Sequence, residues 1–276
     1  MYTVRESEVD ELIAFIKSNY GIDLSNKRVF VEQRALRAMA RHGYDCFSDC
    51  FNFICADATG ALLAELISGL TVNFTMFCRE PSHFDFLKNT ALPQLYKKEN
   101  ADKVLRLWSA GCATGEEPYT LAMIMADFFN IQRPQWDTKI LATDISTTAL
   151  DRAAQAVYAL DSISNLPANW TKHFFIPVPD DPEWVQVAPQ IRDEVVFRKH
   201  NLAAAPFEFK KKFHIIFCRN VMMYFDENGR KQLVNRFYDV LEDGGYLFIS
   251  TTEMIEKEAS PFTYVQPAVY QKRVEI

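Results

Sequence analysis

The sequence lacks any apolar run long enough to cross a membrane. Its longest uninterrupted apolar runs, such as the one in GGYLFIS, have the length of a β-strand. The stretch MYTVRESEVDEL is acidic, whereas a secretory signal peptide begins with basic and then apolar residues. We therefore expect a cytoplasmic protein without membrane insertion.

The sequence also lacks the cysteine patterns of metal sites and disulfide frameworks. Its six cysteines lie between residues 46 and 218 among apolar neighbours, with no CxxC pair and no nearby pair of histidines. This favours buried free thiols, and no metal site is predicted. Basic residues are outnumbered, since 30 Lys and Arg stand against 36 Asp and Glu for a net charge of −6. That balance argues against a general nucleic-acid-binding protein.

The apolar content of 49% over 276 residues suffices for one medium domain and a small additional one. Residues 1–72 predict a helical N-terminal domain, in which ELIAFIKSNYG ends at a plausible glycine C-cap and ALLAELISGL has helical periodicity. Residues 73–100 predict a linker and connecting helix. Residues 101–276 predict the main domain.

From residue 104 short apolar runs alternate with helix-length segments. The runs are VLRLWSA, TKILATD, VVFRKHN, FHIIFCRN and GGYLFIS. Their rhythm predicts an α/β fold with a doubly wound, mostly parallel sheet. Helices are predicted over 116–130, 146–160 and 227–243, and FTYVQPAVYQKR predicts an antiparallel edge strand. Residues 161–194, with five prolines and pieces such as WVQVA, predict a small antiparallel β insert.

One segment is strongly basic within this acidic chain. Residues 24–42 carry five basic side chains against one glutamate, a local balance of +4. At 100° per residue, one face of the predicted helix collects four of them, which are Lys27, Arg34, Arg37 and Arg41. The opposite face, with Val29, Leu36 and Ala40, is predicted to pack. The basic face is either a solvated surface or a docking surface.

A glycine turn follows the first predicted strand of the main domain. In LWSAGCATGEEPY, Gly111 and Gly115 precede a helix that starts with Glu116 and Glu117. Glycine permits close approach of a ligand, and exposed backbone N–H groups at the following helix are expected to favour an anionic group such as a carboxylate. The turn is not the GxGxxG pattern of dinucleotide binding, which disfavours an oxidoreductase.

Polar side chains also stand where the next strands end. Asp144 ends the second strand, where a carboxylate can accept both hydroxyls of a ribose or cap the following helix. The third strand ends at Asn201 and Leu202, and the fourth ends in CRNVMMYF with Arg219, Asn220 and Tyr224. Because the carboxyl ends of parallel strands meet at one edge, we expect these residues to share one crevice.

With these motifs the chain resembles the chemotaxis receptor glutamate methyltransferases, the CheR family. The resemblance rests on NFTMFCRE at 73–80, WSAGCATGEEPY at 108–119, ATDIS at 142–146 and FCRNVMMYF at 217–225. It spans nearly the whole chain, with the motifs in the expected order. It implies a Rossmann-like class I methyltransferase that uses S-adenosylmethionine, yields S-adenosylhomocysteine and acts on glutamates in the cytoplasmic domain of chemoreceptors.

The resemblance also implies roles for individual residues. Arg79 and Tyr224 match positions beside the reacting methyl group. The positions that match the cofactor pocket are Asn73, Thr75, Arg79, Gly111, Glu117, Asp144, Asn201, Leu202, Arg219 and Asn220. Because the family's substrates are glutamate-rich helices, the resemblance favours docking as the role of the basic face.

Three positions depart from the family pattern. Gly111 and Ala113 stand where relatives often carry alanine and serine, and Cys78 stands where an aromatic residue is usual. These changes are small and leave the predicted pocket intact. The insert corresponds to the family's β-subdomain, which in some members binds a short tether at the receptor C-terminus. The proline-rich, acidic sequence IPVPDDPEWVQVAP leaves tether binding open here.

Two other functions compete with receptor methylation. One is a methyltransferase that acts on a different protein or small-molecule carboxylate, against which the helical N-terminal domain argues. The other is a non-catalytic module that binds the cofactor, against which the presence of both Arg79 and Tyr224 argues.

Overall fold

A computed structural model describes residues 4–56, 62–63, 66, 75–99, 101–130, 135–256 and 260–273. Asn73 and most of the helix predicted over ALLAELISGL lie outside the described residues. Within those ranges, no helix combines the length and the apolar character that a membrane span requires.

The N-terminal part is helical, as predicted. It contains α1 (Glu6–Tyr20), α2 (Arg28–His42) and α3 (Phe47–Ala56). The predicted glycine C-cap is present, because Gly21 adopts φ 67° and its N–H bonds the carbonyl of Lys17. Apolar side chains of all three helices form one core of their own, which includes Leu12, Ile16 and Met39.

The packing face predicted for α2 is wrong. Its Val29 is 65% exposed, Ala40 is exposed and Leu36 is only half-buried. The buried residues of α2 are Val31, Ala35, Ala38 and Met39. They are spaced as one helical stripe in which two alanines allow close packing against the neighbouring helices. The larger Leu36 was predicted to pack instead of these small residues.

A connecting helix leads into the main domain. It consists of α4 (Pro81–Phe86), a π-helical turn (Leu87–Ala91) and α5 (Leu92–Lys98). Its apolar side chains join the core of the main domain, where the rings of Phe84 and Phe217 stack at 5.8 Å. The connecting helix is therefore part of the main domain's packing.

The main domain is built on a seven-stranded, mostly parallel sheet with the order β6-β2-β1-β7-β8-β10-β9. Its strands are β1 (Leu107–Ala110), β2 (Ile140–Asp144), β6 (Val195–Lys199), β7 (Phe213–Phe217), β8 (Leu241–Phe248), β9 (Phe262–Gln266) and β10 (Val269–Lys272). Every residue of β1 and β7 is buried, as expected for central parallel strands covered on both faces. The helices over these faces are α6 (Glu116–Phe129), α7 (Thr147–Gln155) and α10 (Glu227–Val240).

The structure corrects two element predictions in this domain. The helix predicted over 146–160 ends at Gln155, because Ala156 adopts a left-handed conformation and the chain continues as β3 (Val157–Ala159). The single edge strand predicted at the C-terminal end is a hairpin of β9 and β10. Strand β10 pairs antiparallel with both β8 and β9, so the edge belongs to β9.

The predicted β insert is present as a separate three-stranded antiparallel sheet. It has the order β3-β5-β4, with β4 (Phe175–Val178) and β5 (Asp181–Val187) following the short helix α8 (Ala168–His173). The helix α9 (Pro189–Arg192) returns the chain to β6. The insert packs on the main core through Phe175, whose ring lies 5.5 Å from that of Phe77.

All six cysteines are free thiols, but not all are buried. Cys50, Cys112 and Cys218 are buried and Cys78 is half-buried, whereas Cys46 and Cys55 are exposed. The prediction of uniformly buried thiols is therefore wrong for these two, because Cys46 lies in the turn before α3 and Cys55 lies on the exposed face of α3.

Candidate active site

The carboxyl ends of β1, β2, β6 and β7 open into one cleft, as the topology predicted. Its volume is about 950 Å³, counting the part that opens to solvent. Thr75 and Arg79 of the linker line it, as do eight further predicted residues, which are Gly111, Glu117, Asp144, Asn201, Leu202, Arg219, Asn220 and Tyr224. The N-terminal domain contributes Tyr20 and Ile22.

The carboxylate of Asp144 is fixed at the end of β2 by backbone donors. Its Oδ2 accepts the N–H of Ala113 at 2.9 Å, and its Oδ1 accepts the N–H of Ser146 at 2.8 Å. Burial raises the pKa of Asp144, and these N–H groups oppose the shift by stabilising the charged form. The role of helix cap falls to Ser146, whose Oγ accepts from the N–H of Ala149. The acceptor sites left on Asp144 suit a ribose diol.

Both glycines of the turn stand where the protein leaves no room for a Cβ atom. A Cβ on Gly111 would lie 2.3 Å from the side chain of Val221, and one on Gly115 would lie 2.9 Å from Ala153. Their positive φ angles of 85° and 99° also require glycine. A Cβ at either position would therefore meet protein side chains, and the close approach of a ligand at Gly111, which lines the cleft, stays a prediction.

The backbone donors of the turn are also engaged within the protein. The N–H groups of Gly111 and Cys112 donate to the carbonyl of Thr143, that of Ala113 donates to Asp144, and that of Gly115 donates to Cys112. These four donors precede α6, so the expectation that N–H groups at the start of that helix favour an anion stays a prediction. An anionic group in the cleft needs partners other than these four.

The guanidinium of Arg219 is the buried cation of the cleft. It lies 3.2 Å from the carboxylate of Glu117 and 3.5 Å from that of Glu80, and it donates to the backbone carbonyl of Arg79. Its Nε is buried and has no hydrogen-bond partner among the described residues. Arg219 thus joins the tip of β7 to the linker and keeps one donor without a protein acceptor.

Glu117 is held between two donors. Ser109 Oγ donates to its Oε1 at 2.7 Å, and Arg219 occupies its Oε2. Burial raises the pKa of Glu117, and the charge of Arg219 acts in the opposite direction. These contacts balance the charge of Arg219 and orient it, and each oxygen of Glu117 keeps a further acceptor site towards the cleft.

Tyr224 lies where the two domains meet. It ends a 3-10 turn (Met222–Tyr224) and packs against the cores of both the N-terminal domain and the main domain. The N–H of Asp23 donates to its carbonyl at 2.8 Å, and Ile22 forms a β-bridge with Phe225. Lys27 Nζ lies 5.5 Å from the centre of the Tyr224 ring.

The remaining basic residues of the predicted docking surface lie on α2. Arg37 and Arg41 are exposed and Arg34 is half-exposed, while Lys27 precedes the helix and faces Tyr224. The structure therefore divides the predicted set, with three arginines on the helix and one lysine at the margin of the cleft.

Sequence reasoning missed several residues of the cleft. His200 lines it, and its Nε2 is buried without a hydrogen-bond partner among the described residues. The residue lies directly before Asn201 at a strand tip, so the same topological signal could have found it. Tyr20 and Ile22 carry no such signal, because they reach the cleft only through the packing of the N-terminal domain.

The comparisons with known proteins bear on this cleft. The protein-family model described as "CheR methyltransferase, SAM binding domain" matches residues 73–270. The model described as "CheR methyltransferase, all-alpha domain" matches residues 7–71. The chain belongs to the CheR methyltransferase family. It is an S-adenosylmethionine-dependent methyltransferase. The all-alpha family model ends at residue 71 and the SAM-binding family model begins at residue 73, where the predicted linker starts.

Curated relatives agree with the CheR assignment. A chemotaxis protein methyltransferase of Borreliella burgdorferi is 39% identical over 98% of this chain and 95% of its own length. Chemotaxis protein methyltransferase 2 of Vibrio cholerae is 33% identical over 88% of this chain and 83% of its own. The chemotaxis protein methyltransferase of Escherichia coli is 31% identical over 91% of this chain and 85% of its own.

The residues of this CheR cleft fit S-adenosylmethionine. Asp144 presents acceptors suited to the ribose hydroxyls, and Arg219 Nε is a buried donor with no acceptor in the part of the chain that the structure describes, suited to the cofactor's carboxylate. His200 Nε2 is a second unsatisfied polar atom in the same cleft. Buried polar atoms normally have partners, so these two indicate a polar ligand.

Proposed function

We propose that this chain transfers methyl groups from S-adenosylmethionine to glutamate side chains in the cytoplasmic domains of bacterial chemoreceptors. The observation that carries the proposal is the arrangement of one cleft, in which Asp144 and Arg219 suit the cofactor while Arg79 and Tyr224 lie at the linker and the domain boundary. Such receptors are methylated on the cytoplasmic side, so the proposal places the enzyme in the cytoplasm.

The proposed reaction needs no general base. When bound, S-adenosylmethionine supplies an electrophilic methyl group on a sulfonium. A glutamate side chain has a reference pKa of about 4.3 and is already an ionised nucleophile at neutral pH. The protein has to hold the carboxylate oxygen in line with the methyl carbon and exclude water, and positioning of this kind contributes several kcal/mol to catalysis.

Arg79 and Tyr224 are the proposed orienting groups for the substrate carboxylate. An arginine that pairs strongly with the nucleophile also stabilises the ground state, which does not increase the rate. The Tyr224 hydroxyl is a weaker donor and orients the carboxylate at a smaller cost in nucleophilicity. We therefore assign Arg79 mainly to binding and Tyr224 mainly to turnover.

The exposed arginines of α2 are the proposed docking surface. Arg37 and Arg41 present positive charge to solvent in a protein of net charge −6. A receptor helix rich in glutamate would be attracted to this surface and aligned by it. Lys27, beside the Tyr224 ring, would extend the positive charge from α2 towards the cleft.

The test is transfer of tritiated methyl groups from S-adenosylmethionine to isolated chemoreceptor signalling domains, followed by mild alkaline treatment. The expected result is base-labile label on glutamate, because methyl esters hydrolyse in base. Label that resists base would place the methyl group on another atom. Absence of transfer despite cofactor binding would contradict the proposal and favour another substrate or a non-catalytic role.

A further inference from the structure

The loop that follows β8 braces the loop that carries Tyr224. Residues 250–253 come after β8, and residues 219–224 come after the neighbouring strand β7. Three side chains join these loops and the linker, which are those of Glu80, Ser250 and Glu253. None of them was predicted as a site residue, and the lining of the cleft does not include them.

The carboxylate of Glu253 accepts backbone N–H groups from the Tyr224 loop. Its Oε2 accepts from Asn220 at 3.3 Å and from Ser250 at 2.9 Å, and its Oε1 accepts from Met223 at 3.2 Å. Asn220 has a left-handed φ of 60°, and Val221 follows in the right-handed helical region. Successive residues of this kind form a concave array of N–H groups that binds an anion. In this protein the anion is the side chain of Glu253.

Ser250 and Glu80 extend the brace to the cofactor side of the loop. Ser250 Oγ accepts from Asn220 Nδ2 at 2.8 Å and donates to Glu80 Oε1 at 2.9 Å. Glu80 also accepts the N–H of Thr251 at 3.1 Å and lies 3.5 Å from Arg219. The loop is thus fixed on one side by Glu253 and on the other by a chain of polar contacts that ends at Arg219.

We propose that Glu253 is a positioning residue for methyl transfer, which acts by holding the 220–223 backbone so that Tyr224 faces the substrate carboxylate. The inference rests on the proposed function, since it assigns to Glu253 the placement of the Tyr224 hydroxyl. Glu253 has no contact with the cleft of its own. Its contribution therefore reaches the reaction only through the loop.

The central experiment compares Glu253→Gln with wild type in the receptor methylation assay, using the full chain. Glutamine has one acceptor oxygen, and its NH2 group faces an N–H donor, so the loop shifts. We expect kcat to fall by up to about tenfold, the effect expected for loss of the Tyr224 hydroxyl, because misplacement of a catalytic group by about 1 Å is enough for an effect of this size. The affinity for S-adenosylhomocysteine should stay within about threefold, because Asp144 and Arg219 remain in place and Asn220 is the single predicted cofactor residue on the shifted backbone. Glu256→Gln, on the same segment but exposed and facing Lys231, is the matched control.

A double-mutant cycle distinguishes positioning from a general structural role. If Glu253 acts through Tyr224, Glu253→Gln has less than about a twofold further effect on kcat in a Tyr224→Phe background. If the fall in kcat of the double variant equalled the product of the two single effects, the proposal would be overturned. So would an unchanged kcat in Glu253→Gln when wild type is active.

Two further measurements keep the proposal testable if Glu253→Gln folds poorly. In Glu253→Ala, added formate should restore part of kcat by occupying the vacated anion site, and chloride at equal ionic strength should not. Failure of formate to restore activity in a folded variant would count against the proposal. Amide hydrogen exchange at residues 220–223 should be faster in Glu253→Gln than in Glu256→Gln. Because this readout needs no turnover, it separates failure of this inference from failure of receptor methylation as the function.

Discussion

The cleft and the surface of α2 are both polar, but they are built in opposite ways. In the cleft, Arg219 and Asp144 stand at strand tips and are held by partners in the glycine turn, at the start of α6 and in the linker. On α2, Arg37 and Arg41 stand on one exposed helix that packs through a different face. A change in the cleft should therefore alter cofactor binding or rate, whereas a change on α2 should alter only the encounter with the substrate.

The largest expected effect is that of Asp144→Ala on cofactor binding. Loss of a charged acceptor for the ribose should raise the Kd of S-adenosylhomocysteine about 100-fold, roughly 2.7 kcal/mol. Isothermal titration calorimetry measures the change directly. Asp151→Ala, an exposed aspartate on α7, is the control. Equal affinity in both variants would remove Asp144 from the cofactor site.

A smaller effect, on kcat and not on cofactor affinity, is expected from Tyr224→Phe. Removal of the hydroxyl should lower kcat for receptor methylation about tenfold, because one donor to the reacting carboxylate is lost. Cofactor affinity should change little, since Asp144 and Arg219 are untouched. Tyr264→Phe, on the exposed edge strand β9, controls for loss of a phenol hydroxyl. Unchanged turnover in Tyr224→Phe would exclude the proposed role.

Charge reversal on α2 tests the proposed docking surface, the second of the two regions compared. Arg37→Glu/Arg41→Glu should raise KM for the receptor domain about fivefold and make methylation less sensitive to salt, because electrostatic attraction is lost. Cofactor affinity should stay at the wild-type value. Lys210→Glu/Lys211→Glu makes the same charge change in an exposed loop and should leave KM unaltered. If the α2 variant showed both a higher KM and a weaker affinity for the cofactor, the result would indicate a folding defect.

The last effect is on stability, and it concerns the packing behind the cleft and its dependence on pH. His83 is buried, and burial lowers its pKa to about 4 from an ordinary 6.5. The unfolded chain then binds the proton more readily, so stability is full above pH 6.5 and falls as pH decreases towards 4. Between pH 7 and pH 5 this amounts to about 1 to 2 kcal/mol.

Replacement of His83 by an apolar residue should remove that loss. In His83→Leu, the decrease in Tm from pH 7 to pH 5 should be several degrees smaller than in wild type. His42→Leu, on the exposed end of α2, controls for loss of an imidazole. The same pH dependence in wild type and both variants would show that His83 does not contribute to acid sensitivity.

The contrast between the two regions also explains what the sequence could predict. Asp144, Asn201 and Arg219 were predicted correctly to line one cleft, because parallel strands bring their carboxyl ends to one edge whatever the details of packing. The packing face of α2 was predicted wrongly, because helical periodicity does not say which apolar stripe meets a neighbour. Val29 and Ala35 are both apolar, and only the tertiary structure buries Ala35.

Other parts of the site had no local signal in the sequence. Glu253 resembles any loop glutamate until the fold places three N–H groups around its carboxylate. The backbone donors of the glycine turn likewise carry no sign in the sequence that Asp144 and Thr143 accept from them in the folded chain. The functions of the individual site residues remain predictions that the variants above can test.

The contacts of the last turn of α1 and of the segment after it limit how this enzyme can be engineered. Asn201 Nδ2 donates to the carbonyl of Asn19, Lys17 lies 3.0 Å from Asp226, and Asp23 bonds the backbone of Tyr224. An exchange of the N-terminal domain for that of a relative would replace these contacts along with the docking surface. A chimaera intended to change receptor choice should therefore keep residues 17–24 and exchange only the exposed face of α2.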